Sequence, residues 1–272
     1  MEARLSFEDQ GKDQPFDAHF SVQEYLDYFY SDVMTKYDED EGLSMPWILD
    51  QFHRTFAGER DFGNRLLDVG SGPTVYQLIS ASRVCSEIVC SDIHQGALAE
   101  IKRWKNGGEN VFDWSTAVKY VSELEGTGWE SRQEQLRTAI KDTVLCDVHK
   151  DNPLHPAAFQ QFDTIIAAYC LEEACCNKGR STYANAMKNM CTLLKQGGYL
   201  ILQSYIGVTY YVKDGKRSPD NLNLDAEFVL KNISKAGITV LETSVYETPK
   251  RETPLYSDVK ALLHVIVTHA ME

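Results

Sequence analysis

Chemistry is most readable in the stretch LLDVGSGPTVYQ, residues 66–77. Two apolar residues lead into Asp68. Two glycines follow one residue apart, and the run after Pro73 predicts a helix over Thr74–Ser82. Glycine lets a backbone approach a bound molecule that a Cβ would push away. A dinucleotide loop needs G-x-G-x-x-G, but the third glycine position is Val75. A triphosphate loop needs G-x-x-x-x-G-K-[ST], and this loop has no lysine. The remaining reading is S-adenosylmethionine, whose methionine part carries a carboxylate and an ammonium in place of a pyrophosphate. A strand-end acid such as Asp68 is then compatible with the ligand. Taken alone, the loop also fits a glycine turn with no ligand.

Two more strand ends bear on that choice. EIVCSD places Asp92 at the carboxyl end of a second strand, 24 residues after Asp68. An acid there accepts hydrogen bonds from the two ribose hydroxyls; a solvent-facing strand-end Asp is the plainer alternative. LCDV places Asp147 and Val148 beyond a third strand. Asp147 would accept from the adenine amine and Val148 would cover the ring. One such acid is weak evidence, whereas three at one structural level after a glycine loop make a site.

The positioning elements are short apolar runs alternating with helical stretches. Strands are predicted at Arg65–Val69, Glu87–Ser91, Asp142–Cys146, Phe162–Ala167 and Gly198–Ser204, then near Thr239–Tyr246 and Ala261–Val267. This alternation implies an α/β fold, a mostly parallel sheet with helices on both faces. The connection 247–260 is short, charged and holds Pro249 and Pro254, which suits an antiparallel return. In FSVQEYLDYFYSDVM, Ser21 and Glu24 form a capping box, and Tyr25, Tyr28 and Phe29 share one helical face. A second helix is expected at about Pro46–Phe56. In STYANAMKNMCTLLKQGG the apolar spacing is helical, with Gly197-Gly198 closing the helix. A single domain over residues 1–272 is expected, with a mobile tail at 1–15, a helical lid at 16–60 and a core sheet from 61. The core carries an insertion at about 105–140.

Composition narrows the partners. The net charge of −13, from 27 Lys+Arg against 40 Asp+Glu, argues against nucleic acid. No apolar run of membrane-spanning length and no signal-peptide pattern is found, so a cytoplasmic protein is expected. The seven cysteines show no CxxC spacing and are read as reduced and structural, with no metal site.

With these residues placed, the chain resembles the small-molecule amine N-methyltransferases, the nicotinamide, phenylethanolamine and indolethylamine (thioether) group. The resemblance runs from about Phe16 to near the C-terminus. It is carried by FSVQEYLDYFY, LLDVGSGPTVYQLISA, EIVCSD, FDWSTAVKYVSELEG, LCDVHKDNPL, CLEEACC, LLKQGGYLIL and Tyr210-Tyr211. CDVHKDNPL and EEACC are most similar to the indolethylamine branch, and DVK at 258–260 to the phenylethanolamine branch. The resemblance implies a class I, Rossmann-like methyltransferase sheet of seven strands with the last antiparallel, under an N-terminal helical lid. It implies that Tyr25, Tyr30 and Tyr76 contact the methionine part of the cofactor, and that Gly70, Ser71, Gly72 and Thr74 line it. Asp92 would hold the ribose, Asp147 and Val148 the adenine, and Ala168 would offer backbone contacts. The product would be S-adenosylhomocysteine. The family often has Asn where this chain has Ala97, so one adenosine contact is lost or replaced.

Methyl transfer from a sulfonium needs positioning and desolvation more than acid–base machinery. An alkylamine must nevertheless shed a proton, so a carboxylate beside it is useful. Glu172 matches the phenylethanolamine branch's amine-binding Glu and is the expected catalytic residue; it is equally what a helix N-terminus favours. Glu173 points elsewhere on a helix and is the weaker candidate. The nicotinamide branch has Asp where this chain has Ser204, and Ser at the positions of Val208 and Asp220. Tyr169, Tyr205, Tyr210 and Tyr211 would instead give an aromatic wall suited to an aryl or indolyl amine. The substrate set is therefore Tyr25, Glu172, Tyr169, Ser204, Tyr205, Val208, Tyr211 and Asp220. The expected protein is a monomeric N-methyltransferase of an indolethylamine or arylalkylamine. The alternatives are a nicotinamide or pyridine N-methyltransferase, a thioether S-methyltransferase, and a catalytically silent cofactor-binding protein.

Overall fold

The computed structural model describes residues 21–31, 45–213, 216–217, 222–249 and 257–269. Asp220 and the expected mobile tail lie outside these residues. Seven strands form one sheet: β1 (Arg65–Val69), β2 (Glu87–Asp92), β3 (Ile140–Leu145), β4 (Phe162–Ala168), β5 (Leu194–Ile206), β6 (Ile238–Glu247) and β7 (Ala261–His269). Their order is β3-β2-β1-β4-β5-β7-β6. The first five run parallel, and β7 lies antiparallel to both β5 and β6. Strand order reverses at β1–β4, and ligands bind beyond the carboxyl ends at such a point.

Helices cover both faces. α1 (Val22–Tyr30), α2 (Met45–Ala57), α3 (Gln95–Lys105), α4 (Ser115–Glu125) and α5 (Trp129–Ala139) contribute to one apolar core; α6 (Leu171–Ala174), α7 (Arg180–Cys191) and α8 (Ala226–Lys235) contribute to the other. Alternation along a strand feeds both cores: Leu66 joins the first and Leu67 the second. α4 and α5 are bound to each other by the Arg132–Glu125 ion pair, and Gln135 Nε2 of α5 donates to Ser82 O at 3.0 Å. The α1 cap forms, with Glu24 N–H donating to Ser21 Oγ at 3.3 Å.

A buried polar chain links α2 to the sheet. Gln203 Nε2 donates to His264 Nδ1 at 3.1 Å. The ring's proton therefore sits on Nε2 and is donated to Thr55 Oγ1 at 2.9 Å, and Thr55 donates to Gln51 O. Burial lowers His264 to about 4, which keeps it neutral.

Two local expectations fail. No α-helix forms over Thr74–Ser82; the segment makes two 3-10 turns, Tyr76–Leu78 and Ala81–Arg83. Side chains compete for the backbone there: Thr74 Oγ1 donates to Ser71 O, and Gln77 Nε2 turns back to Asp68 Oδ2, Ser71 O and Thr74 O. Nor does Gly197-Gly198 close a helix. α7 ends at Cys191, and both glycines lie within β5 at an irregularity where Phe162 pairs with Leu194 but Thr164 with Tyr199. Gly197 has φ +73°, and a Cβ on Gly198 would lie 2.7 Å from Asp163 O.

Candidate active site

The glycine loop leaves β1 and is tied back to β2. Ser71 N–H donates to Ser91 O at 2.9 Å, Ser91 N–H to Ser71 Oγ at 3.0 Å, and Ser91 Oγ to Asp68 O at 2.8 Å. Gly70 has φ +68°, and a Cβ there would lie 2.3 Å from Cys170 Cβ. Gly72 has φ +55°, but nothing lies within 4 Å of where its Cβ would be. One glycine thus admits a neighbouring turn and the other leaves the loop open. Asp68 is buried and burial raises it to about 7, with Gln77 donating to its Oδ2 at 2.7 Å.

Asp92 ends β2 with its carboxylate held from two sides. Gly72 N–H donates to Oδ2 at 2.8 Å and His94 N–H to Oδ1 at 2.8 Å. A carboxylate has about four acceptor positions, so capacity for a diol remains. Asp147 sits in the turn beyond β3, which ends at Leu145, one residue earlier than expected. Its Oδ1 accepts from His149 N–H at 3.0 Å, and Lys150 Nζ lies 3.8 Å from Oδ2. Val148 is buried beside it, its carbonyl bonded by Asn189 Nδ2. Ala97 is buried in α3.

Tyrosines gather over the same strand ends. Tyr30 of α1 packs on Tyr25, Tyr76 and Trp114 at 5.8, 5.7 and 5.3 Å between ring centroids. Tyr169, just after β4, stacks on Tyr205 of β5 at 4.2 Å, and Tyr205 meets Tyr211 at 6.0 Å. Both groups belong to one apolar cluster: Tyr76 is part of it, and Tyr25, Tyr30, Tyr169, Tyr205 and Tyr211 pack against it. Burial pushes all six hydroxyls up, so they stay protonated. Tyr169 has φ +55°, rare for an aromatic residue. Among the described residues its buried hydroxyl has no hydrogen-bond partner.

The two glutamates of α6 differ. Glu172 is buried; its Oε1 accepts from Tyr205 N–H at 2.7 Å and its Oε2 from Ser204 Oγ at 3.1 Å. Glu173 is exposed. Burial raises Glu172 to about 7. Ser204 and Val208 are buried in the core, and Ala168 closes β4. Asp258 is bonded by Thr209 and by the Tyr210 N–H, which fixes the approach to Tyr211.

Two neighbours escaped the sequence reading. Trp114 packs against Tyr30 and Tyr76, and Ile93, next to Asp92, is 54% exposed. Only Ile93 carried a signal, an apolar residue directly after the strand-end acid.

These groups fit S-adenosylmethionine. The open Gly72 backbone can pass an extended ligand, Asp92 keeps acceptors for a ribose, and neutral tyrosine rings suit a sulfonium through cation–π attraction. Among the described residues no group of three or more His, Cys, Asp or Glu side chains could hold a metal, and no helix is long and apolar enough to cross a membrane.

Comparison with known proteins agrees with the geometry. A SAM-dependent methyltransferase from Methanosarcina mazei has a similar fold, with TM-score 0.53 at 13% identity over 78% of this chain and 95% of that one. Nicotinamide N-methyltransferase of Sus scrofa is 35% identical, over 82% of this chain and 83% of its own length. Indolethylamine N-methyltransferase of Oryctolagus cuniculus is 31% identical, over 83% and 84%. Phenylethanolamine N-methyltransferase of Macaca mulatta is 31% identical, over 80% and 77%. The model of the NNMT/PNMT/TEMT family matches residues 9–268. The chain belongs to that family and is an S-adenosylmethionine-dependent N-methyltransferase.

Proposed function

We propose that this enzyme methylates the nitrogen of a small aromatic amine of the indolethylamine or arylalkylamine type. The observation that carries this reading is the tyrosine wall formed by Tyr25, Tyr30, Tyr76, Tyr169, Tyr205 and Tyr211. Neutral rings with offset and edge contacts suit an aryl group, and their faces suit a cation. Family names alone do not choose, because relatives named for three different amines lie at similar identity. Seven free cysteines suit a reducing cytoplasm. The net charge of −13 suits a free small molecule better than a polyanion. We take the working form to be a monomer.

In this reading Gly70, Ser71, Gly72 and Thr74 shape the loop that receives the methionine part, with Tyr25, Tyr30 and Tyr76 around it. Asp92 takes the ribose hydroxyls, Asp147 and Val148 the adenine, and Ala168 supplies backbone contacts. When bound, S-adenosylmethionine supplies an activated methyl group, so the protein's task is alignment and exclusion of water. Tyr169 and Tyr205 hold the aryl group, and an acid on α6 faces the amine.

Mass spectrometry tests the substrate, with S-adenosylmethionine and a panel of tryptamine, serotonin, phenylethanolamine, nicotinamide and a thioether. Tryptamine or phenylethanolamine is expected to gain 14 Da per methyl, the mass of the CH2 that replaces a hydrogen. Methylation of nicotinamide alone would overturn the arylalkylamine preference. Cofactor binding with no product from any acceptor would mark a silent binding protein.

A further inference from the structure

The turn after β3 is held by two neighbouring helices. Asn189 Nδ2 of α7 donates to Val148 O at 3.1 Å. His149 reaches the other way: its Nε2 lies 2.8 Å from the carbonyl oxygen of Ala174, the last residue of α6. The last carbonyls of a helix lack partners within it, and a nearby histidine or lysine can supply one. Lys178 joins the same group, with Nζ 2.9 Å from His149 Nε2 and donating to Ala174 O at 3.3 Å. With its proton on Nε2 the ring donates to Ala174 O directly. With the proton on Nδ1 it accepts from Lys178, whose ammonium also donates to Ala174 O. Either tautomer ties the ring to α6. The backbone of the same residue faces Asp147, where His149 N–H donates to Oδ1 at 3.0 Å. The turn is otherwise closed by its own peptide groups, Asp147 N–H donating to Pro153 O at 2.8 Å and Lys150 N–H to Asp147 O at 3.0 Å. The Asp147 carboxylate is thus oriented by a residue whose side chain is anchored on another element.

We infer that His149 is a positioning residue for the cofactor's base, resting on the adenine placement proposed above: its anchored ring fixes the N–H that aims Asp147 at the 6-amino group, and so sets the preference for an amino-purine over an oxo-purine. A carboxylate has about four acceptor positions, and one peptide N–H leaves room for an amine N–H. Hydrogen bonds weaken steeply as they depart from linear geometry, so a small rotation of the turn is enough to lose the contact. Asn189 secures Val148, which covers the ring face and reads no donor pattern. The two anchors therefore do different work. One decides which base is accepted, and the other how firmly any flat base is held. A site built around a hydrogen-bonding group rejects an analogue lacking the matching group far more strongly than an apolar surface does. The ring also links this turn to the element that carries Glu172.

The test compares S-adenosylhomocysteine with S-inosylhomocysteine, in which a carbonyl replaces the 6-amino group and turns a donor into an acceptor. The Kd of each is measured by calorimetry on the full chain. Wild type is expected to bind S-adenosylhomocysteine about tenfold more tightly or better. His149→Ala should lower that ratio about fivefold, and Asp147→Ala should bring it close to one. His149→Gln keeps an N–H donor at a similar reach and should hold the ratio within about twofold of wild type. His149→Asn, whose amide is too short to reach Ala174 O, should match His149→Ala and keeps the test open if the Ala variant does not fold. Asn189→Ala should weaken both ligands alike and leave the ratio within about twofold of wild type. A wild-type ratio retained by both His149→Ala and His149→Asn overturns the assignment. So does an Asn189→Ala or His149→Gln ratio that falls as far as theirs. Equal affinity of wild type for the two ligands overturns the adenine placement of Asp147 itself, and the role of His149 with it.

Discussion

The region beyond β1–β3, which we propose as the cofactor half of the site, and the region beyond β4 and β5, which we propose as the acceptor half, are built from different materials. Beyond β1–β3 the structure relies on backbone: Gly70 and Gly72 at positive φ, Ser71 and Ser91 exchanging hydrogen bonds, and Asp92 gripped by two peptide N–H groups. Beyond β4 and β5 it relies on side chains: Tyr169 stacked on Tyr205, Tyr211 edge-on to Tyr205, and Tyr25 and Tyr30 reaching over from α1. Backbone geometry tolerates few residue types at a position, whereas an aromatic wall can be rebuilt one ring at a time. The first half therefore suits a ligand common to many enzymes of this fold, and the second suits an acceptor that varies.

Substitutions on the two sides should differ in size and in kind. The largest effect is expected at Gly70. A Cβ there meets Cys170 Cβ at 2.3 Å and Sγ at 2.7 Å on a backbone already at φ +68°. Gly70→Ala should cost about 3 kcal/mol or more and remove cofactor binding, as urea unfolding and calorimetry would show. Gly72→Ala, with open space around it, should cost only about 1 kcal/mol, for its positive φ. Equal costs would mean that the contact with Cys170 is not what the loop needs.

Asp92→Ala comes next. It removes the acceptor of two peptide N–H groups and the proposed ribose partner. S-adenosylmethionine Kd should rise about 100-fold, consistent with losing one or two charge-assisted hydrogen bonds. Unchanged affinity by calorimetry would remove Asp92 from the cofactor half.

The His264 chain predicts a smaller effect that depends on pH. The folded chain holds this ring near 4, below its ordinary 6.5. Between those values the unfolded chain takes up a proton that the folded chain refuses, so stability falls as pH falls. Asp68 and Glu172, raised to about 7, act in the opposite sense and lose stability as pH rises from the ordinary carboxylate range towards 7. The advantage of wild type over His264→Gln isolates the histidine. It should shrink by about 1 kcal/mol between pH 6.5 and 5.5, followed by urea unfolding at each pH. An advantage that does not change with pH would mean the ring is not held neutral.

The smallest effect belongs to Tyr169→Phe. The deleted hydroxyl has no partner among the described residues. Stability should hold or rise by up to about 1 kcal/mol, read as the thermal midpoint. A clear fall would show that the hydroxyl is bonded in solution.

The same contrast explains what could be read in advance. The loop, Asp92 and Asp147 each sit on a short contiguous stretch at a strand end, and strand ends follow from apolar periodicity. All seven strands form close to their expected places, including the antiparallel return. The misreadings are local. Gln77 and Thr74 draw the segment after Pro73 into 3-10 turns, and a proline-to-serine run does not reveal that its side chains will bond back to Asp68 and Ser71. Gly197 serves a strand irregularity, which the sequence does not distinguish from a helix end. The glutamates were hardest to order. α6 has four residues and follows a tyrosine at positive φ, so no amphipathic period sets which of Glu172 and Glu173 turns inward. Tyr25, Tyr169, Tyr205 and Tyr211 come from separate elements, and only tertiary structure brings them together.

The contact between Gly70 and Cys170 fixes a length. Cys170 is the residue just before α6, the turn bearing both glutamates, and Gly70 opens the loop after β1. Loop and turn meet where a side chain is missing, so their separation is set by the width of one absent methyl group. The glycine is thus a spacer, and any side chain in its place would push the two segments apart.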